Sequence, residues 1–111
     1  MKEDIISHIQ DNREVSRIYS ELRAGFFAYN HITFPMIREE DREEIYKLVK
    51  EMENDTCRKI LFGFYWQRHS MEALAELIGL NNADVAKSTK VRCFTKLRNA
   101  VLAVFRKKGL I

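Results

Sequence analysis

The stretch from Ser70 to Leu97 constrains the fold of this chain more than any other. It begins Ser70-Met-Glu-Ala-Leu-Ala-Glu-Leu-Ile-Gly79 and continues through Leu80-Asn-Asn82 into a long basic segment. A serine ahead of a periodic apolar run caps a helix, because its hydroxyl accepts a hydrogen bond from an early N–H. Glu72 then suits the positive end of the helix dipole. Leu74, Leu77 and Ile78 recur at spacings of three and four, which predicts one shared inward face. Gly79 stands where a helix exit needs positive φ. Leu80 reads as the buried residue of the turn, and Asn81 or Asn82 as the cap of the next helix. In that helix Ala86, Cys93, Leu97, Val101 and Val104 form one apolar stripe. Asp84, Ser88, Val91, Arg92, Thr95 and Asn99 fall opposite, with Lys87 on the shoulder. The spacing predicts a helix-turn-helix, whose second helix is left free to lie in the major groove of DNA.

Charge supports the same reading. Residues 1–55 hold 8 Lys and Arg against 13 Asp and Glu, a net of −5, whereas residues 56–111 hold 11 against 3, a net of +8. The overall +3 therefore hides an acidic half and a basic half. The basic half concentrates attraction for phosphate around the two-helix segment. The acidic run Arg38-Glu-Glu-Asp-Arg-Glu-Glu44 is repelled by DNA and reads as a solvated helix start or a surface for a basic partner.

The remaining sequence reads as helices. A weak one is expected over 3–10. A stronger one is expected over 13–29, with Val15, Ile18, Tyr19, Leu22 and Phe26 on a common face. Pro35 disfavours helix at Phe34 and marks a break. Further helices are expected at 39–53 and 56–67, separated by the turn and cap residues Asn54 and Asp55. The last helix should run to about Lys107, with Phe94, Val101 and Phe105 packing back. One proline and four glycines leave too few turn formers for an all-β chain. No apolar run approaches the roughly 20 residues of a membrane span, and Met1-Lys-Glu-Asp-Ile-Ile lacks a signal-peptide core. A cytoplasmic protein without membrane contact is the expectation. Cys57 and Cys93 lack metal-type spacing and lie on apolar helix faces, so buried free thiols are expected and no metal site.

Several submotifs agree in order and spacing with one family. Asp55-Thr-Cys-Arg-Lys-Ile-Leu-Phe-Gly-Phe-Tyr65, Ser70 to Gly79, Asn82-Ala-Asp-Val-Ala-Lys-Ser-Thr-Lys-Val-Arg-Cys93 and Lys96-Leu-Arg98 resemble region 4 of extracytoplasmic-function sigma factors. The likeness covers residues from about 50 to about 100. It implies an all-α, wingless helix-turn-helix DNA-binding domain over 54–111, with residues 1–53 a helical extension, either a remnant of sigma region 2 or a linker. It also implies two partners, promoter double-stranded DNA and the RNA polymerase core. By position, Lys87 and Ser88 match the basic and hydroxyl pair early in the recognition helix, and Val91 and Arg92 match its next outward turn. Val91 departs from the larger side chain often found there. Arg68 and Lys96 match phosphate contacts, and Ser70 matches a backbone N–H donor to phosphate. Asn82, heading the recognition helix, completes the DNA-binding set.

The N-terminal half is too short for a full region 2, so a shortened regulator that binds DNA without melting it is expected. The aromatic cluster Phe26, Phe27, Tyr29 and Phe34 reads either as a homodimer surface or as a cover for the core. His8, His31 and His69 are scattered, with no paired acid at helical spacing, and no phosphate loop or nucleophile motif is present, so neither catalysis nor a cofactor is expected. The alternative to DNA binding is a protein-interaction module, held by an anti-sigma partner or by polymerase, without DNA affinity of its own.

Overall fold

A computed structural model describes residues 14–25 and 37–109 of the chain. Described residues 14–25 are helical (α1) and are followed by α2 (Glu39–Lys50), α3 (Asp55–Tyr65), α4 (Met71–Ile78) and α5 (Ala83–Lys107). Among the described residues there is no strand, and no helix is long and apolar enough to cross a membrane. The helix expected at 3–10, the aromatic cluster Phe26, Phe27, Tyr29 and Phe34, and the break at Pro35 lie outside the described residues. Residue proximity groups the chain into two units, Met1–Lys47 with Val101–Ile111, and Leu48–Ala100.

In the first unit Val15, Ile18, Tyr19 and Leu22 of α1 are buried, as are Ile45, Val101 and Phe105. The Tyr19 and Phe105 rings lie 6.1 Å apart at 52°. Burial pushes the Tyr19 phenol up to about 12. The start of α2 is built around Asp41, whose side chain is only 1% exposed. Asp41 accepts from the Arg38 backbone N–H at 3.1 Å and from the Arg38 Nε at 3.0 Å. A carboxylate three residues into a helix thereby reaches back to an early N–H, the return half of a capping box. Lys108 also pairs with Asp41 and with Glu44. Burial pushes the Asp41 carboxyl up, but the hydrogen bonds from Arg38 and the charges of Arg38 and Lys108 outweigh it. The group is held below the usual carboxylate range.

In the second unit each helix start carries its own cap. The Asn54 side chain accepts from Cys57 N at 3.0 Å, Ser70 from Ala73 N at 3.1 Å, and Asn82 from Val85 N at 2.9 Å. Each such cap contributes about 1 kcal/mol. Gly79 closes α4 at φ +86, and the N–H groups of Gly79 and Leu80 both donate to the Ala75 carbonyl. A side chain at that φ would be strained, hence the glycine. α3 packs on α4 at Gly63, where a Cβ on the glycine would lie 2.6 Å from Leu74 Cδ2.

Three expectations about this unit are corrected. Cys57 and Cys93 are buried, but they are joined in a disulfide that ties α3 to α5 rather than standing as free thiols. Leu77 shares its spacing with Leu74 and Ile78 yet is 66% exposed. Leu74 meets α3 at Gly63 and is buried, as is Ala75, whereas Leu77 is left largely open. Leu80, expected buried, is half-buried.

Candidate nucleic-acid interface

α5 divides lengthwise. Ala86, Thr89, Cys93, Phe94 and Leu97 are buried, whereas Asp84, Lys87, Ser88, Val91, Arg92, Thr95, Lys96 and Asn99 are exposed. At about 100° per residue the exposed set spans half the helix circumference, and from Asp84 to Asn99 it runs about 22 Å. Lys87, Ser88, Val91, Arg92 and Lys96 thus share one solvent-facing surface. It carries three cations against the single carboxylate of Asp84.

The groups on this face are held by the helix they stand on. The Thr89 hydroxyl donates to the Val85 carbonyl at 2.7 Å, and Arg92 Nη2 donates to Thr89 Oγ1 at 3.3 Å. That bond leans the guanidinium back by one turn and leaves most of its five N–H groups for another acceptor. Thr95 Oγ1 donates to the Val91 carbonyl at 3.0 Å, so its outward hydroxyl is partly used. Val91, 62% exposed, is the large apolar side chain that stands out from this face.

The other predicted residues fall elsewhere. Ser70 and Asn82 are exposed, but both side-chain oxygens accept helix N–H groups as caps. The Asn82 amide N–H groups and the Ser70 backbone N–H are hydrogen-bond donors at these two helix starts. Arg68 is exposed in the segment joining α3 to α4, at φ 55, a left-handed conformation that is uncommon outside glycine.

Two features of this unit go beyond the residue pattern. Lys90 does not join the exposed cations. Its Nζ lies 4.2 Å from the Phe64 ring centroid, 5.1 Å from that of Tyr65 and 5.7 Å from that of Phe94. The spacing of Lys90 to Phe94 is visible in the sequence as an i, i+4 pair, but the contacts with α3 are tertiary. The second feature is the disulfide, which anchors the middle of α5 to the first turn of α3. The Tyr65 and Phe94 rings, 6.3 Å apart, pack the other end of α3 on the same side of α5. Covalent and aromatic contacts therefore hold one side of α5 while its opposite side stays open. Among the described residues no group of His, Cys, Asp and Glu is placed to hold a metal ion. No protein-family model, no curated protein and no solved structure matches the chain.

Proposed function

We propose that the chain is a sequence-specific, non-catalytic DNA-binding transcription factor of the sigma region 4 kind. In this reading α4, the Gly79 turn and α5 act as a helix-turn-helix, and α5 enters the major groove of a promoter duplex. The observation that carries the reading is the open face of α5, where Lys87, Ser88, Val91, Arg92 and Lys96 stand together while the opposite face is buried. The chemistry suits a groove. Arg92 offers a planar fork to guanine O6 and N7, Ser88 donates or accepts, and Val91 presents methyl groups to a thymine methyl. Lys87 and Lys96, with Arg68 and the donors at Ser70 and Asn82, supply phosphate contacts that position the helix. Core RNA polymerase is a second partner in this reading.

Selection of bound sequences from random duplexes, with and without core polymerase, tests the proposal. Fluorescence anisotropy on a selected duplex then resolves the roles. Arg92→Ala should weaken binding by about 1–3 kcal/mol and relax base preference at one position, and Lys87→Ala should lower the salt slope by about 1. Affinity that is absent, or unchanged in both variants, favours the protein-interaction module, which the exposed Leu77 supports independently. A homodimer through the N-terminal helices rests on Phe26, Phe27, Tyr29 and Phe34 of the sequence. Sedimentation showing a monomer at high concentration removes it.

A further inference from the structure

Asp84 is the carboxylate on a face of α5 that otherwise carries Lys87, Arg92 and Lys96. A negative charge there opposes phosphate, so attraction for a duplex gives no account of it. Nor is its carboxylate used by the helix start, which is capped by the Asn82 side chain accepting from Val85 N at 2.9 Å. Asp41 and Asp55, in the first turns of α2 and α3, are both engaged, Asp41 by Arg38 and Lys108 and Asp55 by Arg58 and Lys59. Asp84 has Lys87 at i+3, the spacing at which Asp55 pairs with Arg58. Yet among the described residues no ion pair or hydrogen bond engages the Asp84 carboxylate.

Its place on the helix decides what it meets. At about 100° per residue, Ser88, Val91 and Thr95 lie within about 40° of the line through Asp84, and Arg92 lies about 80° to one side. Lys96 stands about 120° away on that same side, and Lys87 about 60° away on the other. The lysines therefore border the face, and Asp84 lies near its midline. A helix seated in the major groove turns its midline to the base edges and its borders to the phosphate walls. Asp84 is thereby kept off the phosphates and set toward the floor of the groove.

A carboxylate accepts hydrogen bonds and donates none. On the groove floor guanine presents N7 and O6 and thymine presents O4, all acceptors that repel it, and the donors are the amino groups of cytosine and adenine. Adenine N6 has the acceptor N7 of its own base beside it, whereas cytosine N4 has a C–H, so cytosine is the base that fits. Arg92 follows eight residues later, about 12 Å along the axis. That distance spans about three to four base pairs at about 3.4 Å each. We propose that Asp84 is a specificity-determining residue, which accepts from the N4 amino group of a cytosine about three to four base pairs from the guanine met by Arg92. This inference rests on the DNA-binding reading and deepens it by naming a base preference that the cations do not supply.

Sites selected from random duplexes by the full chain, by Asp84→Ala and by Asp84→Asn test the proposal, with Arg92→Ala marking the guanine. The parent should enrich cytosine at one position, about three to four base pairs from the marked guanine. Asp84→Ala should lose that preference by about fivefold or more, keep the guanine, and bind an unselected duplex more tightly because a repulsive charge is gone. Asp84→Asn should shift the position to adenine, whose N7 and N6 an amide meets as donor and acceptor. A role confined to the α5 dipole moves the melting temperature of these variants and leaves base preference in place, and that result overturns the proposal. So does a parent site without cytosine at the stated distance. A parent that selects no duplex overturns the DNA-binding reading itself, whereas a selected site unaltered by Asp84→Ala overturns this inference alone.

Discussion

Reducing the Cys57–Cys93 disulfide should remove a large part of the stability of the unit formed by Leu48–Ala100. The bond closes a loop with a sequence separation of 36 residues. Loop-closure entropy assigns about 3 kcal/mol to a 15-residue loop and about 4.7 kcal/mol to a 100-residue loop, so this one contributes about 3.8 kcal/mol. Small domains are stable by only about 5–15 kcal/mol in total. At about 4 °C or more per kcal/mol, the melting temperature of the reduced protein should fall by about 15 °C or more. Both cysteines are nearly inaccessible, at 3% and 2% exposure. Reductant must therefore act on the opened chain, and the reduced sample is prepared in urea and refolded with reductant present. Urea titrations followed by circular dichroism compare the two forms, and thiol titration in denaturant checks each. The oxidised protein should show no thiol and the reduced protein both. The double variant Cys57→Ala/Cys93→Ala separates the tether from sulfur packing and should lose slightly more than the reduced protein, because the buried sulfur contacts go as well. Stabilities that agree within about 1 kcal/mol, or two titratable thiols in the untreated chain, refute the reasoning.

Two further outcomes test the packing and the charges. Gly63→Ala gains about 0.5–1 kcal/mol of helix propensity, but its methyl would sit 2.6 Å from Leu74 Cδ2, so the Leu74 side chain, only 1% exposed, would have to shift. Overpacking of this kind costs about 1–3 kcal/mol, so urea unfolding should show net destabilisation, and a stabilised variant contradicts the contact. Asp41 is held below its unfolded value near 3.9. Its contribution is therefore present above about pH 4 and lost as pH falls through the lowered folded value. Asp41→Asn should flatten this part of the stability profile below about pH 4, and identical acid slopes in the two proteins would show that the Arg38 and Lys108 contacts do not stabilise the fold.

Local signals in the sequence carry the elements well and their tertiary environment poorly. Asn54, Ser70, Gly79 and Asn82 each mark a helix boundary through chemistry confined to a few residues, and each does so in the structure. The end of α5 at Lys107 and its outward set from Asp84 to Asn99 follow from periodicity alone. Leu77 shows where periodicity stops. Spacing places it beside Leu74 and Ile78 but is silent on how far α3 extends to cover them. Burial of the cysteines is legible from their apolar faces. Their bond is not, because it depends on two distant stretches meeting in space. Lys90 enters any count of positive charge in the basic half, yet its ammonium lies over three rings, so the charge offered to a ligand is smaller than the count. The reading of Lys87, Ser88, Val91, Arg92 and Lys96 as one surface rests on helical geometry and needs no tertiary knowledge.

The grip on one side of α5 also fixes its angular setting. Cys93 is tethered to α3, and Lys90 and Phe94 are seated on its aromatic rings, so the rod cannot turn about its long axis without losing all three. A single residue inserted between Ala83 and Lys90 would rotate everything ahead of it by about 100° and swing Lys87 out of line with Arg92. Changes of length in this part of the chain are therefore tolerable only in the short bend at residues 79–82, and the helix itself admits substitution but not insertion.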